Sequence, residues 1–457
     1  MRRIYEAVVR QHLSEWRQMA FLMGPRQVGK TTISLQAAEE WVNHRYFNWD
    51  NPAEKLLFLE GGKAIADQAG LNEMQTGESV LIFDEIHKYG KWKNFLKGFF
   101  DLYESKTKII VTGSARLNIY KKGGDSLMGR YFYYRIHPLS VGEIAASSIP
   151  LYREGLQNWA TGKEASSNSR SGANGRALEH AVSEDEKSEE KPTPPETNSP
   201  FTNGIDTDIR PRAQSISDAN WQALIEHGGF PEPFLQRSDR FSKRWQSLRK
   251  EQLFREDIRD HTRVQELAEI ELLSDLLKDQ AAQAMDYASL AKKIKVSVDT
   301  VRRWIEVLKS FYFCYTLQPW SKNVARSLIK EPKIYLWDWS QIENEGQRLE
   351  NMVASHLLKS VDYWNDRGLG EYGLYYLRTK DKREVDFVVT KHQKPWFIAE
   401  VKAKAKGLSS SLYHFQQELG VPHAFQLAFD LPFVEGNCFN ESGPILVPAR
   451  TFLSQCV

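Results

Sequence analysis

Three short apolar runs mark the first quarter of the chain: Met19-Ala20-Phe21-Leu22-Met23, Ser79-Val80-Leu81-Ile82-Phe83 and Thr107-Lys108-Ile109-Ile110-Val111-Thr112. Amphipathic, helix-patterned stretches separate them. β-rich runs alternating with helices predict a parallel sheet with crossover helices, an α/β core. The pattern fails from about Ala160 to Arg212, where Ser, Asn, Gly, Glu and Pro dominate and no aromatic residue occurs between Trp159 and Phe201. Such a segment cannot bury enough apolar area to offset its chain entropy and is expected to be a disordered surface insertion.

Order resumes near Trp221. The turn Gly228-Gly229-Phe230-Pro231-Glu232-Pro233 opens a charged amphipathic helical stretch to about Gln280, residues 286–313 read as two helices around a short turn, and from Lys333 the pattern becomes strand, helix and hairpin. The expected division is an α/β core (1–159), the insertion (160–212), a helical lid or linker (213–280), a segment carrying the two helices (281–332) and a C-terminal α/β domain (333–457).

Composition narrows the function classes. With 457 residues, 41% hydrophobic and 26% charged, the chain fits a soluble protein of two or three domains. No run of about 18 apolar residues suggests a membrane span, and the N-terminus lacks a signal-peptide core. Cys314, Cys438 and Cys456 are widely spaced and form no metal-ligand pattern, which fits a reducing, cytoplasmic setting. A net charge of +2 means that any contact with nucleic acid rests on local patches.

The sharpest chemistry lies at Gly24-Pro25-Arg26-Gln27-Val28-Gly29-Lys30-Thr31. This is G-x-x-x-x-G-K-T after an apolar strand and before a helical run, the arrangement in which backbone N–H groups curl around phosphates. Gly24, Gln27, Val28, Gly29, Lys30, Thr31 and Thr32 are the expected ATP contacts, with Lys30 on the β- and γ-phosphates and the Thr31 hydroxyl in the Mg²⁺ shell. Asp84-Glu85, at the end of the second apolar run, supplies a metal-side carboxylate and a base for the attacking water. Ser114, after the third run, is either a sensor of the γ-phosphate or a helix N-cap. Arg130 is the candidate finger from a neighbouring subunit, with Arg116 in reserve; a surface salt bridge explains either arginine as well.

The loop, Phe83-Asp84-Glu85-Ile86-His87, Thr112-Gly113-Ser114, Arg135-Ile136-His137-Pro138-Leu139-Ser140 and Gly228-Gly229-Phe230-Pro231-Glu232-Pro233, in this order, resemble a family of prokaryotic AAA ATPases. The resemblance covers nearly all of the chain outside 160–212. It implies a P-loop AAA parallel sheet with a helical lid, a winged-helix segment and a C-terminal restriction-endonuclease-like α/β domain.

In the middle segment, Leu290, Ala291 and Ile294 fall on one inner face, and Val301, Ile305 and Leu308 on the next, which is helix-turn-helix spacing with Ser297 or Asp299 as cap. Lys292, Lys293, Lys295, Thr300, Arg302 and Arg303 would then form a phosphate-contacting surface for DNA. Interdomain packing is the competing use. Farther on, Asp386 in an alternating strand is followed by Ala399-Glu400-Val401-Lys402, in which Glu400 and Lys402 share a strand face. A hairpin would converge them: Asp386 and Glu400 as Mg²⁺ ligands, Lys402 orienting water, and Glu350 as a fourth member. The set resembles the D…E-x-K signature of restriction-endonuclease-like nucleases, a scaffold that also occurs without cleavage.

Two functions follow. One is an oligomeric ATPase that couples turnover to DNA binding or remodelling, with a metal-dependent nuclease as an added activity. The other is a nucleotide-controlled signalling switch or protein scaffold whose nuclease-like domain is silent.

Overall fold

A computed structural model describes residues 2–73, 78–113, 127–147, 209–210, 212–259, 266–321, 331–379 and 383–457. Ser114, Arg116 and nearly all of the 160–212 insertion lie outside the described residues. The N-terminal sheet contains β1 (Met19–Met23), β2 (Asn43–Asn48), β3 (Ser79–Asp84), β4 (Thr107–Gly113) and β5 (Tyr131–Arg135) in the order β2-β3-β4-β1-β5, every pair parallel. The three central strands are the three apolar runs. Ala20, Leu22, Val80, Ile82 and Ile110 face the helices Ile4–Glu15 and Lys30–Ala38, while Phe21, Leu81, Phe83, Ile109 and Val111 face the helix Trp92–Tyr103. Burial on both faces is what makes their sequences continuously apolar.

The helical region contains Asp218–His227, Pro231–Gln236 and Asp239–Gln252, which runs into a π-helical turn, Leu253–Ile258. Helices Leu267–Asp279, Tyr287–Ile294 and Val298–Ser310 then pack together ahead of an antiparallel ribbon of β6 (Cys314–Leu317) and β7 (Lys333–Leu336). Leu290, Ala291, Ile294, Val301, Ile305 and Leu308 are buried as their spacing predicts. The Ser297 hydroxyl caps the second helix by accepting from the Thr300 N–H at 3.1 Å.

The C-terminal domain is built on the helix Glu345–Asp366 and a mixed sheet of β8 (Tyr372–Arg378), β9 (Glu384–Lys391), β10 (Lys394–Lys402), β11 (His423–Ala428) and β12 (Gly443–Pro448). β8, β9 and β10 are antiparallel, whereas β10, β11 and β12 are parallel. The β9–β10 hairpin turns through His392 and Gln393, both at positive φ, the geometry that matches the twist of paired strands. Cys314, Cys438 and Cys456 are buried free thiols. No helix among the described residues is long and apolar enough to cross a membrane.

The helix Glu345–Asp366 docks on the N-terminal domain through the end of β5 and the segment after it. Arg135 pairs with Asp362 and Asp366, each at 2.5 Å, and His137 Nε2 lies 2.8 Å from Asp362. Deeper in the joint, Glu143 binds Arg3 at 2.9 Å and also the Lys359 ammonium. Arg3 additionally donates to the carbonyls of Val28 at 2.9 Å and His137 at 2.6 Å. Gly229 is held at the same junction: a Cβ there would lie 2.5 Å from the Trp339 ring and 2.8 Å from the Leu139 carbonyl.

Burial alone would raise the Glu143 pKa, but Arg3 and Lys359 reverse this and hold it at about 2, below its ordinary 4.5. Its pairing therefore stabilises the fold above pH 4.5, and that contribution is lost as pH falls from 4.5 towards 2. Glu143→Gln leaves two cations buried without their anion and should cost about 3–5 kcal/mol at neutral pH. Urea unfolding should show that deficit, and the gap from the wild type should narrow on acidification below pH 4.5.

Candidate functional site

The glycine loop lies at the carboxyl end of β1, where the sheet order switches between β4 and β5, a crevice that parallel sheets use for ligands. Gly24 is required by close approach, since a Cβ would sit 2.3 Å from the Ile136 carbonyl oxygen. Gln27 and Gly29 have φ of 62° and 99°, so the loop includes left-handed turns of the kind that aim N–H groups inward. The Lys30 ammonium is buried and donates to the carbonyls of Gly24 at 3.0 Å and Pro25 at 2.8 Å. Burial pulls its pKa down to about 8, partly offset by Glu85 and Asp84. Val28 is buried and Thr32 is exposed on the first helical turn.

Asp84 gathers three hydroxyl groups. Thr31 Oγ1 at 2.8 Å and Tyr46 OH at 2.7 Å donate to Oδ2, and Thr112 Oγ1 donates to Oδ1. The Thr31 hydroxyl beside the Asp84 carboxylate is an oxygen donor set suited to the Mg²⁺ that accompanies a nucleotide. Glu85 has φ of 54°, a conformation uncommon outside glycine and frequent at functional turns. Among the described residues its Oε2 is buried without a hydrogen-bond partner, 3.5 Å from Lys88 Nζ and 3.6 Å from His87 Nε2.

Sequence reasoning missed Tyr46 and Thr112, and it also missed two arginines. Arg26 of the loop pairs with Asp257 at 2.7 Å and Glu256 at 3.3 Å on the π-helical turn. Arg249 lies 3.8 Å above the Phe230 ring with Asp338 4.0 Å away, and burial lowers its pKa to about 10. Both arginines help depress Lys30, so all three cations bear on one region. A groove of about 490 Å³ opens beside Gln27 between Phe241, Arg244 and Leu248. The one available signal was the placement of Arg249 in an amphipathic helix after the double glycine.

Arg130 lies elsewhere. It precedes β5, at the opposite end of the sheet and roughly 15 Å of strand from the loop, and forks onto Asp101 at 2.6 and 3.0 Å. It does not join the loop of its own chain.

In the middle unit Lys292, Lys293, Lys295, Arg302 and Arg303 are exposed, and none pairs with a carboxylate among the described residues. Arg302 lies 4.9 Å over Tyr287, while Thr300 is engaged by the Ser297 cap at 2.9 Å. In the C-terminal domain Glu350, Asp386, Glu400 and Lys402 do converge. Asp386 Oδ2 accepts from the Val401 N–H at 2.8 Å, and Lys402 pairs with Glu400 at 2.6 Å. Burial, with Glu350 and Glu400 adding to it, pushes Asp386 up to about 8. The convergence includes Lys333, which the sequence reading did not anticipate, 3.0 Å from Glu350 and 2.5 Å from Glu384. Among the described residues no three His, Cys, Asp or Glu side chains are gathered as a metal-binding group.

A family model described as an AAA domain matches residues 17–145. Over those residues the chain is similar to AAA domains. Two domains of unknown function, DUF8612 and DUF4143, match residues 218–342 and 345–428. Uncharacterized proteins of Mycobacterium bovis and Mycobacterium tuberculosis are each 22% identical over 401 residues, covering 86% of this chain and 72% of their own length. Solved structures with partial likeness include Aeropyrum pernix ORC1 in complex with DNA, 12% identical over 76% of this chain and 92% of that one, with a TM-score of 0.32. AMPPCP-bound DnaA from Aquifex aeolicus is 13% identical over 67% and 86%, with a TM-score of 0.29, and C. elegans PCH-2 is 15% identical over 34% and 45%, at 0.24.

A triphosphate bound in this loop requires the Lys30 ammonium to be charged. Below pH 8 the charge is present in the free protein; above pH 8 binding must take up a proton. Nucleotide affinity should therefore be flat up to about pH 8 and weaken by up to about tenfold per pH unit beyond it. Titration of a fluorescent ATP analogue between neutral and alkaline pH checks this, and Lys30→Met should bind weakly with no such slope.

Proposed function

We propose that this chain binds ATP with Mg²⁺, hydrolyses it, and as an oligomer couples turnover to DNA binding. The observation that carries the reading is the buried Lys30 ammonium, whose hydrogen bonds go to its own loop carbonyls, beside an aspartate already ringed by hydroxyl groups. Such a cation is poised to exchange carbonyls for phosphate oxygens. Thr31 and Asp84 would hold the metal, which neutralises charge on the phosphates when bound. Glu85 keeps a buried carboxylate oxygen, unbonded among the described residues, for a water, and its left-handed backbone aims the side chain differently from the strand before it. Thr112 and Tyr46 keep Asp84 oriented.

Oligomerisation is supported by Arg130, remote from the loop of its own chain and flanked by exposed Leu102, Met128 and Phe132. Arg130 would serve the loop of a neighbouring copy after leaving Asp101. DNA contact is supported by the five exposed cations on the helix-turn-helix pair, none of them paired with a carboxylate among the described residues; the pair resembles a winged helix with the β6–β7 ribbon as its wing. The nuclease-like reading of the C-terminal domain rests on the convergence of Asp386, Glu400 and Lys402, with Glu350 beside them. A silent version of that domain, within a nucleotide-controlled scaffold, is favoured by the lysine seated among those carboxylates.

Glu85→Gln should retain ATP binding and stop hydrolysis, a loss of about 10²-fold or more. A variant hydrolysing at the wild-type rate would remove Glu85 as the base. Wild-type turnover should rise when single-stranded, duplex or branched DNA is added. Arg302→Ala with Arg303→Ala should blunt that rise without changing basal turnover; no stimulation and no binding by any of the three DNAs would dismiss the coupling.

A further inference from the structure

The C-terminal carboxylates invite a divalent ion, yet several of their oxygens are already engaged. Lys333 enters from β7, a strand of the ribbon that follows the helix-turn-helix pair, and its side chain is only 4% exposed. Its ammonium lies 2.5 Å from Glu384 Oε1, 3.0 Å from Glu350 Oε1 and 3.8 Å from Asp386 Oδ1. The ammonium thus lies within ion-pair distance of three carboxylates. Tyr335, two residues along the same strand, donates to Glu350 Oε1 at 2.9 Å. The remaining contacts close the cluster: Asp386 Oδ2 takes the Val401 N–H, Glu400 Oε1 takes Lys402, and Glu384 Oε2 lies 3.6 Å from Arg378. One buried oxygen, Glu400 Oε2, makes no hydrogen bond.

A magnesium site needs several oxygens directed at one centre about 2.1 Å away. Here the shared centre of Glu350, Glu384 and Asp386 is an ammonium nitrogen, and lysine and metal cannot occupy it together. We propose that Lys333 is the resident cation of this cluster, taking up the charge of Glu350 and Asp386 that a divalent ion would need, and that it locks the ribbon onto the C-terminal sheet. Burial by itself would favour a neutral amine, but Glu350, Asp386 and Glu384 outweigh it and raise the lysine pKa above that of a free lysine. The ammonium therefore stays charged through neutral pH. The inference is independent of the ATPase reading, since none of these groups touches the phosphate loop.

The test is Mn²⁺ binding to the full chain without nucleotide, followed by electron paramagnetic resonance of the free ion. In the wild type, Asp386→Asn should leave Mn²⁺ binding unchanged. Lys333→Met should gain a site roughly tenfold or more tighter than anything Asp386 contributes in the wild type, within the range over which surrounding groups tune metal affinity. Adding Asp386→Asn to Lys333→Met should abolish that site. The proposal is overturned if Asp386→Asn removes an Mn²⁺ site from the wild type, or if a folded Lys333→Met chain gains none. Should Lys333→Met fail to fold, the comparison of wild type with Asp386→Asn still decides. Nicking of duplex DNA by the wild type with Mn²⁺, lost on Asp386→Asn, would equally refute it.

Discussion

The arrangement of the whole chain depends on one buried carboxylate, Glu143. Two cations from distant parts of the sequence converge on it: Arg3, before the first helix, and Lys359, on the long helix of the C-terminal domain. Each would be expensive to bury alone, because an unpaired charge loses its hydration with nothing in return. Arg3 spends its other donors on the carbonyls of Val28 and His137. The phosphate loop, the segment after β5 and the C-terminal domain are thereby tied to a single point.

That point gives the phosphate loop two mechanical neighbours. Through Val28 and Arg3 it is connected to the helix Glu345–Asp366, and through Arg26 it is connected to Asp257 on the π-helical turn. π-Helical turns interrupt regular helical bonding and recur at functional positions. Asp257 is pushed up to about 6 by burial, against the opposite pull of Arg26 beside it. The loop is thus in direct contact with the helical region and, through Arg3 and Glu143, is linked to the C-terminal domain.

The middle unit is fastened at its other end by charge as well. Lys333 and Tyr335 of the ribbon reach into the carboxylate cluster, while Trp339 donates its indole N–H to the Leu224 carbonyl and packs on Gly229. The double glycine is thus a packing requirement where the segment after β5, the helical region and the ribbon meet. The exposed cations of the helix-turn-helix pair are left outside this web, facing solvent.

What the sequence determined by itself was whatever depends on periodicity and short-range geometry. β1, β3 and β4 were legible because strands buried on both faces must be apolar throughout; β2 and β5, at the sheet edges, were not, since Asn43-His44-Arg45-Tyr46 and Tyr131-Phe132 carry polar or half-exposed faces. The phosphate loop, the Ser297 cap, the buried faces of the two middle helices and the common side of Glu400 and Lys402 follow from local spacing in the same way. Only the tertiary structure decided which distant groups meet. It brought Tyr46 and Thr112 to Asp84, turned Arg135 and His137 into a dock for Asp362, and set Lys333 among the carboxylates. A charge carries no mark of its partner in the sequence around it; the partner is chosen by where the folded backbone leaves a buried ion uncompensated.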